Sequence, residues 1–233
     1  MSKGINLKKV LGIIFLVLAI TSLGSGGLIW LMNAQKTDAT GFTMSPKINI
    51  VTESPMIVFS DHTFNLKEEI PTPIQLLINP DNFIVERWSI TSNLNKNVFI
   101  GIAEAKKADS FTKTLHYKEA NDWDIDQGPW KMDLWVNTYY NHIGAESAQP
   151  PQNANIWLAS NSGSKVAVFE KTMVSGDYWV IIVNVDGSPG LNIDLQVGGK
   201  IPVLQWLPIP LLVLALLLGG IGVFFYTRKN KGN

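Results

Sequence analysis

The chain of 233 residues contains no cysteine and few charged side chains. Without cysteine there are no disulfides, no thiolate metal ligands, no cysteine nucleophile and no lipidated cysteine anchor. Any folded part must therefore be held together by its apolar core. Charged residues make up 16% of the chain, against about 25% in an average soluble protein. This deficit is concentrated in two segments.

Residues 10–32 and 201–226 contain no charged side chain. Each is longer than the roughly 20 apolar residues with which a helix crosses a bilayer, so the sequence predicts two transmembrane helices. A signal peptide is the alternative for the first, because small residues follow residues 10–20. Hydrophobicity resumes at residues 28–32, which favours an uncleaved anchor. The predicted organisation is a cytoplasmic tail with the first helix, a folded domain, the second helix and a basic tail, at residues 1–32, 33–200, 201–227 and 228–233.

The distribution of charge predicts the orientation of the chain and excludes several functions. Six Lys and Arg lie in the two tails, whereas all 19 Asp and Glu lie between the predicted helices, where the net charge is −6. Basic residues beside a span remain in the cytoplasm, so both termini are predicted to be cytoplasmic and residues 33–200 to lie outside the cell membrane. An acidic domain disfavours nucleic-acid binding, and spans without ionisable residues argue against transport. The predicted partners are the lipid bilayer and another membrane or envelope protein, with the oligomeric state left open.

Residues 33–200 show the alternation and turn spacing of a mainly β domain. Apolar or alternating runs, separated by Pro, Gly and Asn, occur at residues 48–51, 56–59, 74–78, 83–90, 98–102, 130–140, 156–160 and 166–170. With the strands described next, this spacing predicts about eight to ten strands in one antiparallel β-sandwich, either jelly-roll or immunoglobulin-like. One helix is predicted at residues 109–117, with Asp109 as its N-cap.

The most regular pattern lies at residues 177–197, just before the second apolar segment. Residues 178–183 are all apolar or aromatic, as in a strand buried on both faces, and residues 191–197 alternate as in a half-buried strand. The turn residues between them are Asp186, Gly187, Pro189 and Gly190. A β-hairpin is predicted here, and a second one is predicted at residues 156–170. Because the four residues fit turn chemistry, they are assigned a structural role.

Four carboxylates form the best candidate metal site. Asp122, Asp124 and Asp126 alternate along the chain, Gly128 follows them, and Asp133 comes eleven residues after Asp122. Oxygen ligands with this spacing suit Ca²⁺. Calcium loops place glycine at the sixth position, however, whereas here it is at the seventh. The alternative is a solvated strand whose acids face outward.

Aromatic residues suggest a second kind of site. Trp135, Tyr139 and Tyr140 lie beside acids and amides, an arrangement typical of sugar-binding surfaces. Trp135 is the sharpest case because it shares a predicted strand face with polar residues. The alternative is that these rings fill the core of the domain.

No residue pattern predicts catalysis or a cofactor. Ser162 and Lys165 have the Ser-x-x-Lys spacing of penicillin-recognising enzymes, but that motif needs the serine at the start of a helix and further partners. The three histidines have no metal-ligand spacing. The chain is therefore predicted not to be an enzyme and to bind no cofactor.

Glycines are frequent in both apolar segments, at residues 24, 26 and 27 and at residues 219, 220 and 222. Small residues permit close helix packing. Because the predicted helices run antiparallel, the two clusters lie at opposite depths and are not expected to face each other. The alternative is that glycine is simply common in membrane helices.

Several motifs occur in an order that resembles a known family. Residues 98–103 read Val-Phe-Ile-Gly-Ile-Ala, Pro150-Pro151 precedes Trp157-Leu158-Ala159-Ser160, and residues 176–179 precede an Asn-Val-Asp-Gly-Ser-Pro-Gly run. This order resembles uncharacterised prokaryotic two-span membrane proteins with an extracytoplasmic "WxAS…GxW…NxDGSxG" β-domain. The resemblance implies an architecture and no activity. The predicted function is a non-catalytic binding or accessory subunit for another envelope or membrane protein, and the alternative is a carbohydrate- or Ca²⁺-binding surface module.

Overall fold

The computed structural model describes residues 7–65, 83–128, 130–144 and 151–228. The strand predicted at residues 74–78 and the outermost tail residues lie outside these ranges. The chain divides into two compact units. Asp38–Ile201 form a mainly β unit, and the helices that precede and follow it in the sequence form the other.

Four helices occur in the described part of the chain: α1 Leu7–Lys36, α2 Ala105–Thr112, α3 Pro202–Trp206 and α4 Pro208–Thr227. The apolar runs of the sequence form α1 and α4, with mean hydropathies of 2.1 and 2.4. Proline at the start of α4 costs little because the first turn leaves its N–H groups unbonded. By length and composition, α1 and α4 are each sufficient to cross a membrane.

Small residues allow α1 and α4 to approach closely. A Cβ atom added to Gly12 would lie 3.0 Å from the carbonyl oxygen of Gly222, and one added to Gly26 would lie 3.1 Å from Cβ of Leu211. Ala19, midway between the two α1 glycines, is also buried. Gly12, Ala19 and Gly26 are seven residues apart, so they share one face of the helix and form a continuous seam.

The two predicted glycine clusters contribute only partly to this seam. Gly26 and Gly222 lie at the helix contact, and each faces a different part of the other helix, as the antiparallel order requires. A Cβ atom at Gly24, Gly27 or Gly220 would meet nothing within 4 Å. Half of the six clustered glycines therefore lie at the contact between α1 and α4, since Gly219 also faces Ala19, and the other half do not.

The described residues of the β unit form eleven strands: β1 Thr43–Met44, β2 Ile48–Thr52, β3 Met56–Phe64, β4 Val85–Ser92, β5 Val98–Glu104, β6 Tyr117–Gly128, β7 Lys131–His142, β8 Trp157–Gly163, β9 Val166–Thr172, β10 Gly176–Asn184 and β11 Leu191–Lys200. A 3₁₀ turn occurs at Pro151–Asn153. The prediction of a mainly β domain is confirmed.

The strands form two sheets. In the five-stranded sheet the order is β1-β11-β4-β9, with β2 also paired to β11, and in the six-stranded sheet it is β7-β6-β3-β10-β5-β8. Neighbouring described strands are antiparallel except β3 and β6, which are parallel. The prediction of a wholly antiparallel arrangement is therefore wrong at this one pairing, because α2 and the residues after it return the chain to the same end of the sheet.

Both predicted hairpins are wrong. β10 pairs with β3 and β5, whereas β11 pairs with β1, β2 and β4 in the other sheet. In the same way β8 pairs with β5, and β9 pairs with β4. Each tight turn thus carries the chain from one sheet to the other. Strand periodicity and turn residues are the same for a hairpin and for a crossing between sheets, so the sequence pattern does not separate them.

The helix between β5 and β6 begins earlier than predicted. α2 starts at Ala105, directly after β5, and Asp109 lies inside it rather than at its N-cap. The helix ends at Thr112, whose hydroxyl donates a hydrogen bond to the carbonyl oxygen of Ala108. Leu115 is buried in an apolar cluster with Phe111 packed against it, so the two apolar residues contact one cluster although only one of them is helical.

The two sheets share one apolar core. It includes Trp88, Ile90 and Leu195 from the five-stranded sheet and Phe59 and Ile182 from the six-stranded sheet. A second cluster lies on the opposite face of the six-stranded sheet, under α2. β10 contributes to both clusters, which explains its unbroken apolar run.

A β-bulge in β3 rotates its last residues. Ser60 and Asp61 oppose the single residue Trp179 of β10, and Asp61 has a φ of 60°. Aspartate tolerates this left-handed conformation better than most residues. Because of this extra residue, His62 and Phe64 rather than Asp61 and Thr63 are the buried residues at the end of β3.

Arg87 connects the first residues of the β unit to the five-stranded sheet through ion pairs and a ring contact. Its guanidinium group donates hydrogen bonds to Asp38 at 2.9 Å and to Glu170 at 2.5 Å, and lies 3.8 Å from the ring centre of Phe42. Phe42 is completely buried. One side chain therefore links β4, β9 and the segment before β1.

Candidate functional site

The candidate residues lie on a long two-stranded ribbon formed by β6 and β7. In its register Asp126 lies opposite Asp133, and Asp124 lies opposite Trp135. The ribbon contains two irregularities, near Ala120 and Asp122. They shift the phase of the side chains, so a residue's face cannot be assigned by counting along the whole strand.

Two of the four carboxylates of the predicted calcium site contact a lysine. The ammonium group of Lys131 lies 2.5 Å from Asp126 and 3.0 Å from Asp133. Hydrogen bonds to Asp126 and Asp133 raise the pKa of Lys131 to about 12. Because like charges directly opposite each other repel, the lysine stabilises this cross-strand pair.

Asp122 and Asp124 do not join this cluster. Asp124 accepts a hydrogen bond from the backbone N–H of its neighbour Ile125, which is buried. No three His, Asp or Glu side chains in the described ranges are grouped so that they would hold a metal ion. Calcium binding by Asp122, Asp124, Asp126 and Asp133 stays a prediction, and it would require Lys131 to leave its place.

The three predicted aromatic ligands do not share one face. Trp135 is 41% exposed and Tyr140 is 57% exposed, whereas Tyr139 is half-buried against the core. Burial raises the pKa of Tyr139, and the ammonium group of Lys118 lies 4.7 Å from the centre of its ring. We use the term outer ribbon face for the exposed side of β7 that carries Trp135 and Tyr140.

Near the end of β7 the structure brings together three residues that the sequence does not single out. The rings of Tyr117 and His142 stack with their centres 4.3 Å apart, and Glu119 contacts the histidine. This cluster fixes the last residues of the edge strand beside Tyr140. Only the strand register reveals it, because the residues come from different strands.

A buried polar pair links the two sheets. Glu86 on β4 is 0% exposed, and its carboxylate lies 3.0 Å from Nε2 of His62 on β3. The indole N–H of Trp88 donates a second hydrogen bond to this carboxylate, at 3.2 Å. The ring of Trp123 lies 5.5 Å from that of His62. The sequence does carry a signal for this pair, because Glu86 alternates in phase with the apolar residues Trp88 and Ile90.

A polar cleft of 370 Å³ opens where β2 ends, near the ends of the β6–β7 ribbon strands. Its lining comes from three separate segments of the sequence and consists of Thr52, Glu53, Ser54, His116, Lys118, Asn141 and Ile143. Sequence reasoning missed this cleft, since no local motif connects residues that are so far apart in the chain.

The predicted turn residues lie between β10 and β11. Asp186 accepts a hydrogen bond from the backbone N–H of Ser188, and the hydrogen bonds from this residue lower the pKa of Asp186. Gly187 and Gly190 have φ values of 67° and 82°, which residues with a side chain rarely adopt. The carbonyl oxygen of Pro189 accepts a hydrogen bond from the ammonium group of Lys96. This geometry is that of a rigid sheet-crossing turn.

The serine of the Ser-x-x-Lys spacing does not have the setting of a nucleophile. Ser162 lies in β8, opposite Phe99, rather than at the start of a helix. It lines a smaller cleft of 230 Å³ together with Asn97, Gln152, Gly163, Ser164 and Val185.

The architecture defines the class to which the chain belongs: a mainly β unit placed in the sequence between two apolar helices. No family model matches the chain, and no curated protein does. Among solved structures, the crystal structure of the Yersinia pseudotuberculosis-derived mitogen is similar over 68% of this chain and 85% of that chain, with 10% identity and a TM-score of 0.24.

Proposed function

We propose that the protein is a non-catalytic binding subunit, anchored in the cell membrane by α1 and α4, whose extracytoplasmic β-sandwich contacts another membrane or envelope protein. The observation that carries this proposal is the exposure of Trp135 and Tyr140 on the outer ribbon face. Tryptophan and tyrosine are the residues most enriched where proteins contact each other tightly.

The strand that carries the outer ribbon face packs against the core on its other side. On the other side of β7, Met132 and Leu134 are buried in the shared core. Near Tyr140, the stacked rings of Tyr117 and His142 hold the strand end. A partner would therefore meet aromatic side chains on an ordered strand, and little ordering entropy would be lost on binding.

Two further features support a non-catalytic role. The most unusual ionisable pair, His62 and Glu86, is buried between the sheets, where a substrate does not reach it. Asp122, Asp124 and Asp126 of the ribbon are exposed, and Lys131 neutralises Asp126 and Asp133. Neither arrangement offers a reactive group at an open site.

The membrane orientation is tested directly because the chain contains no cysteine. Single-cysteine variants at the exposed positions Lys9 and Lys106 report the two sides of the membrane. With a membrane-impermeant maleimide on intact cells, we expect Lys106→Cys to react and Lys9→Cys to react only after permeabilisation. The reverse pattern would refute the proposed topology.

The partner contact is tested by replacing Tyr140 with a photo-crosslinking amino acid in the full-length protein in its native membrane. We expect one discrete adduct to another protein. Leu94, which is 46% exposed in the turn between β4 and β5, is the matched control position. The same adduct from both positions, or none from Tyr140, would contradict the proposal. Trp135→Ala should weaken the adduct formed from Tyr140.

A second candidate function is carbohydrate binding by the outer ribbon face, which the exposed ring of Trp135 beside Asp133 favours. Sugars stack on exposed rings and bond to nearby carboxylates. Titration with neutral oligosaccharides would show heat that Trp135→Ala abolishes, without any protein adduct from position 140. Calcium binding by the ribbon acids would appear in the same titration with CaCl₂.

A further inference from the structure

The polar cleft beside the β6–β7 ribbon has several hydrogen-bond donors with no acceptor among the residues that the structure describes. The hydroxyl of Thr52 accepts from the backbone N–H of Ser54, and the hydroxyl of Ser54 accepts from that of Met56. Both residues are buried, and within the described ranges neither hydroxyl donates a hydrogen bond. Since each hydroxyl carries one proton to donate, two donors remain for a ligand.

Lys118 adds a cation to the same wall. Its ammonium group lies over the ring of Tyr139, and no described carboxylate lies within 4.0 Å of it. The amide of Asn141 also lines the cleft and makes no hydrogen bond within the described ranges. A cation, an amide and two hydroxyls among the residues that line one cleft favour a ligand that carries a carboxylate.

Two further lining residues, Glu53 and Ile143, narrow the class of ligand. Glu53 is an exposed carboxylate at the same cleft, so it repels a multiply charged anion such as phosphate and accepts hydrogen bonds from hydroxyl groups. Ile143 is 88% exposed and offers an apolar contact. A ligand with one carboxylate, several hydroxyls and an apolar ring edge satisfies all of these groups.

We propose that this cleft binds a carboxylated sugar, a uronic acid residue of an acidic saccharide. In this arrangement the sugar carboxylate meets Lys118, its hydroxyls bond to Glu53, Asn141 and the two buried hydroxyls, and its ring contacts Ile143. The volume of 370 Å³ is within the usual range for small-ligand sites. The proposal is independent of the protein contact at the outer ribbon face, because neither Trp135 nor Tyr140 lines the cleft.

The test is isothermal titration of the full-length protein in detergent with a galacturonic acid trisaccharide. Maltotriose, which lacks the carboxylates, and inorganic phosphate are the comparison ligands. We expect the uronate to bind at least about tenfold more tightly than either, because one charge-assisted hydrogen bond is lost with the neutral sugar. Its affinity should also fall as salt is raised.

Variants of the cleft separate specific binding from general charge attraction. Lys118→Met should weaken uronate binding by about tenfold or more, and Lys118→Arg should retain most of it. Lys106→Met removes the same charge from an exposed position on α2 and should leave the affinity unchanged. None of these substitutions should alter the crosslinked adduct formed from position 140.

Three results would overturn the proposal: no uronate binding at millimolar concentration, equal affinity for maltotriose, or phosphate binding at least as tight as uronate binding. An equal loss in Lys106→Met and Lys118→Met would also refute it, since that outcome would indicate attraction to net charge. Thermal unfolding of each variant, compared with that of Lys106→Met, shows whether the β unit is still folded.

Discussion

Replacing Glu86 by alanine should strongly destabilise the β unit. The carboxylate is fully buried and accepts hydrogen bonds from His62 at 3.0 Å and Trp88 at 3.2 Å. Its removal leaves two buried ring nitrogens without their acceptor and opens a cavity between the sheets. Removing one partner of a buried, hydrogen-bonded pair of ionisable groups costs up to about 3–5 kcal/mol, which corresponds to a fall in Tm of roughly 6–20 °C for a unit of this size.

The measurement is thermal and urea unfolding of the full-length protein in detergent, followed by tryptophan fluorescence. Trp88 and Trp123 both lie close to the pair and should report its loss. Glu104→Ala is the control, because the Glu104 side chain is 51% exposed in a surface pair with Lys107. That substitution should cost less than about 1 kcal/mol.

A double variant separates the loss of pairing from the loss of volume. Changing both His62 and Glu86 to leucine removes the uncompensated polar groups of the pair, so it should recover much of the stability lost in Glu86→Ala. The reasoning would be refuted if Glu86→Ala cost no more than Glu104→Ala. It would also be refuted if the double variant were less stable than Glu86→Ala, because the pair would then contribute more than its replacement by apolar packing.

Three further predictions concern other parts of the chain. Arg87→Met should lower the unfolding free energy of the β unit by about 1–2 kcal/mol in the same assay, since it removes two ion pairs and a ring contact together, and Arg87→Lys should not restore it fully. The double variant Ala19→Cys/Gly219→Cys should form a disulfide under mild oxidation, because the two Cβ atoms would lie 3.8 Å apart, as in natural disulfides. The control Ala19→Cys/Gly220→Cys should form none, and gel mobility under non-reducing conditions distinguishes the two variants. The pKa of Asp186 is lowered below 3.8, so its stabilising contribution is present above that pH and is lost as the pH falls through the folded-state pKa. In urea unfolding at pH 7, Asp186→Ala should therefore have an unfolding free energy less than about 1 kcal/mol below that of the wild type. This difference should disappear in acid.

Alternation along β7 predicts the face of some candidate residues correctly and of others wrongly. Alternation correctly separated Trp135 from the buried residues Met132 and Leu134. It did not anticipate that Tyr139 packs inward while Tyr140 is exposed, because Asn137 is an extra, unpaired residue in β7 and shifts the phase between Trp135 and these tyrosines. Local pattern therefore located the aromatic residues, and the irregularity in β7 decided their faces.

The ion pairs of the ribbon acids likewise depend on strand pairing as well as on sequence spacing. Their spacing in the chain suits a cation, and a cation does lie between Asp126 and Asp133, but it is the ammonium group of Lys131. This lysine was visible in the sequence, yet its contact depends on the register of β6 against β7. Lys131 is two residues from Asp133 on β7, but its contact with Asp126 forms only because β6 and β7 pair in this register.

By itself the sequence determined the apolar helices, the mainly β character of the unit between them and the positions of most strands. These features depend on hydrophobicity and periodicity, which are local properties of the chain. Only the tertiary structure decided that the two expected hairpins are crossings between sheets, that His62 meets Glu86 in the core, and that residues from three segments line the polar cleft. Each of these depends on contacts between residues far apart in the chain, and such contacts are set by how the sheets pack rather than by any short stretch of sequence.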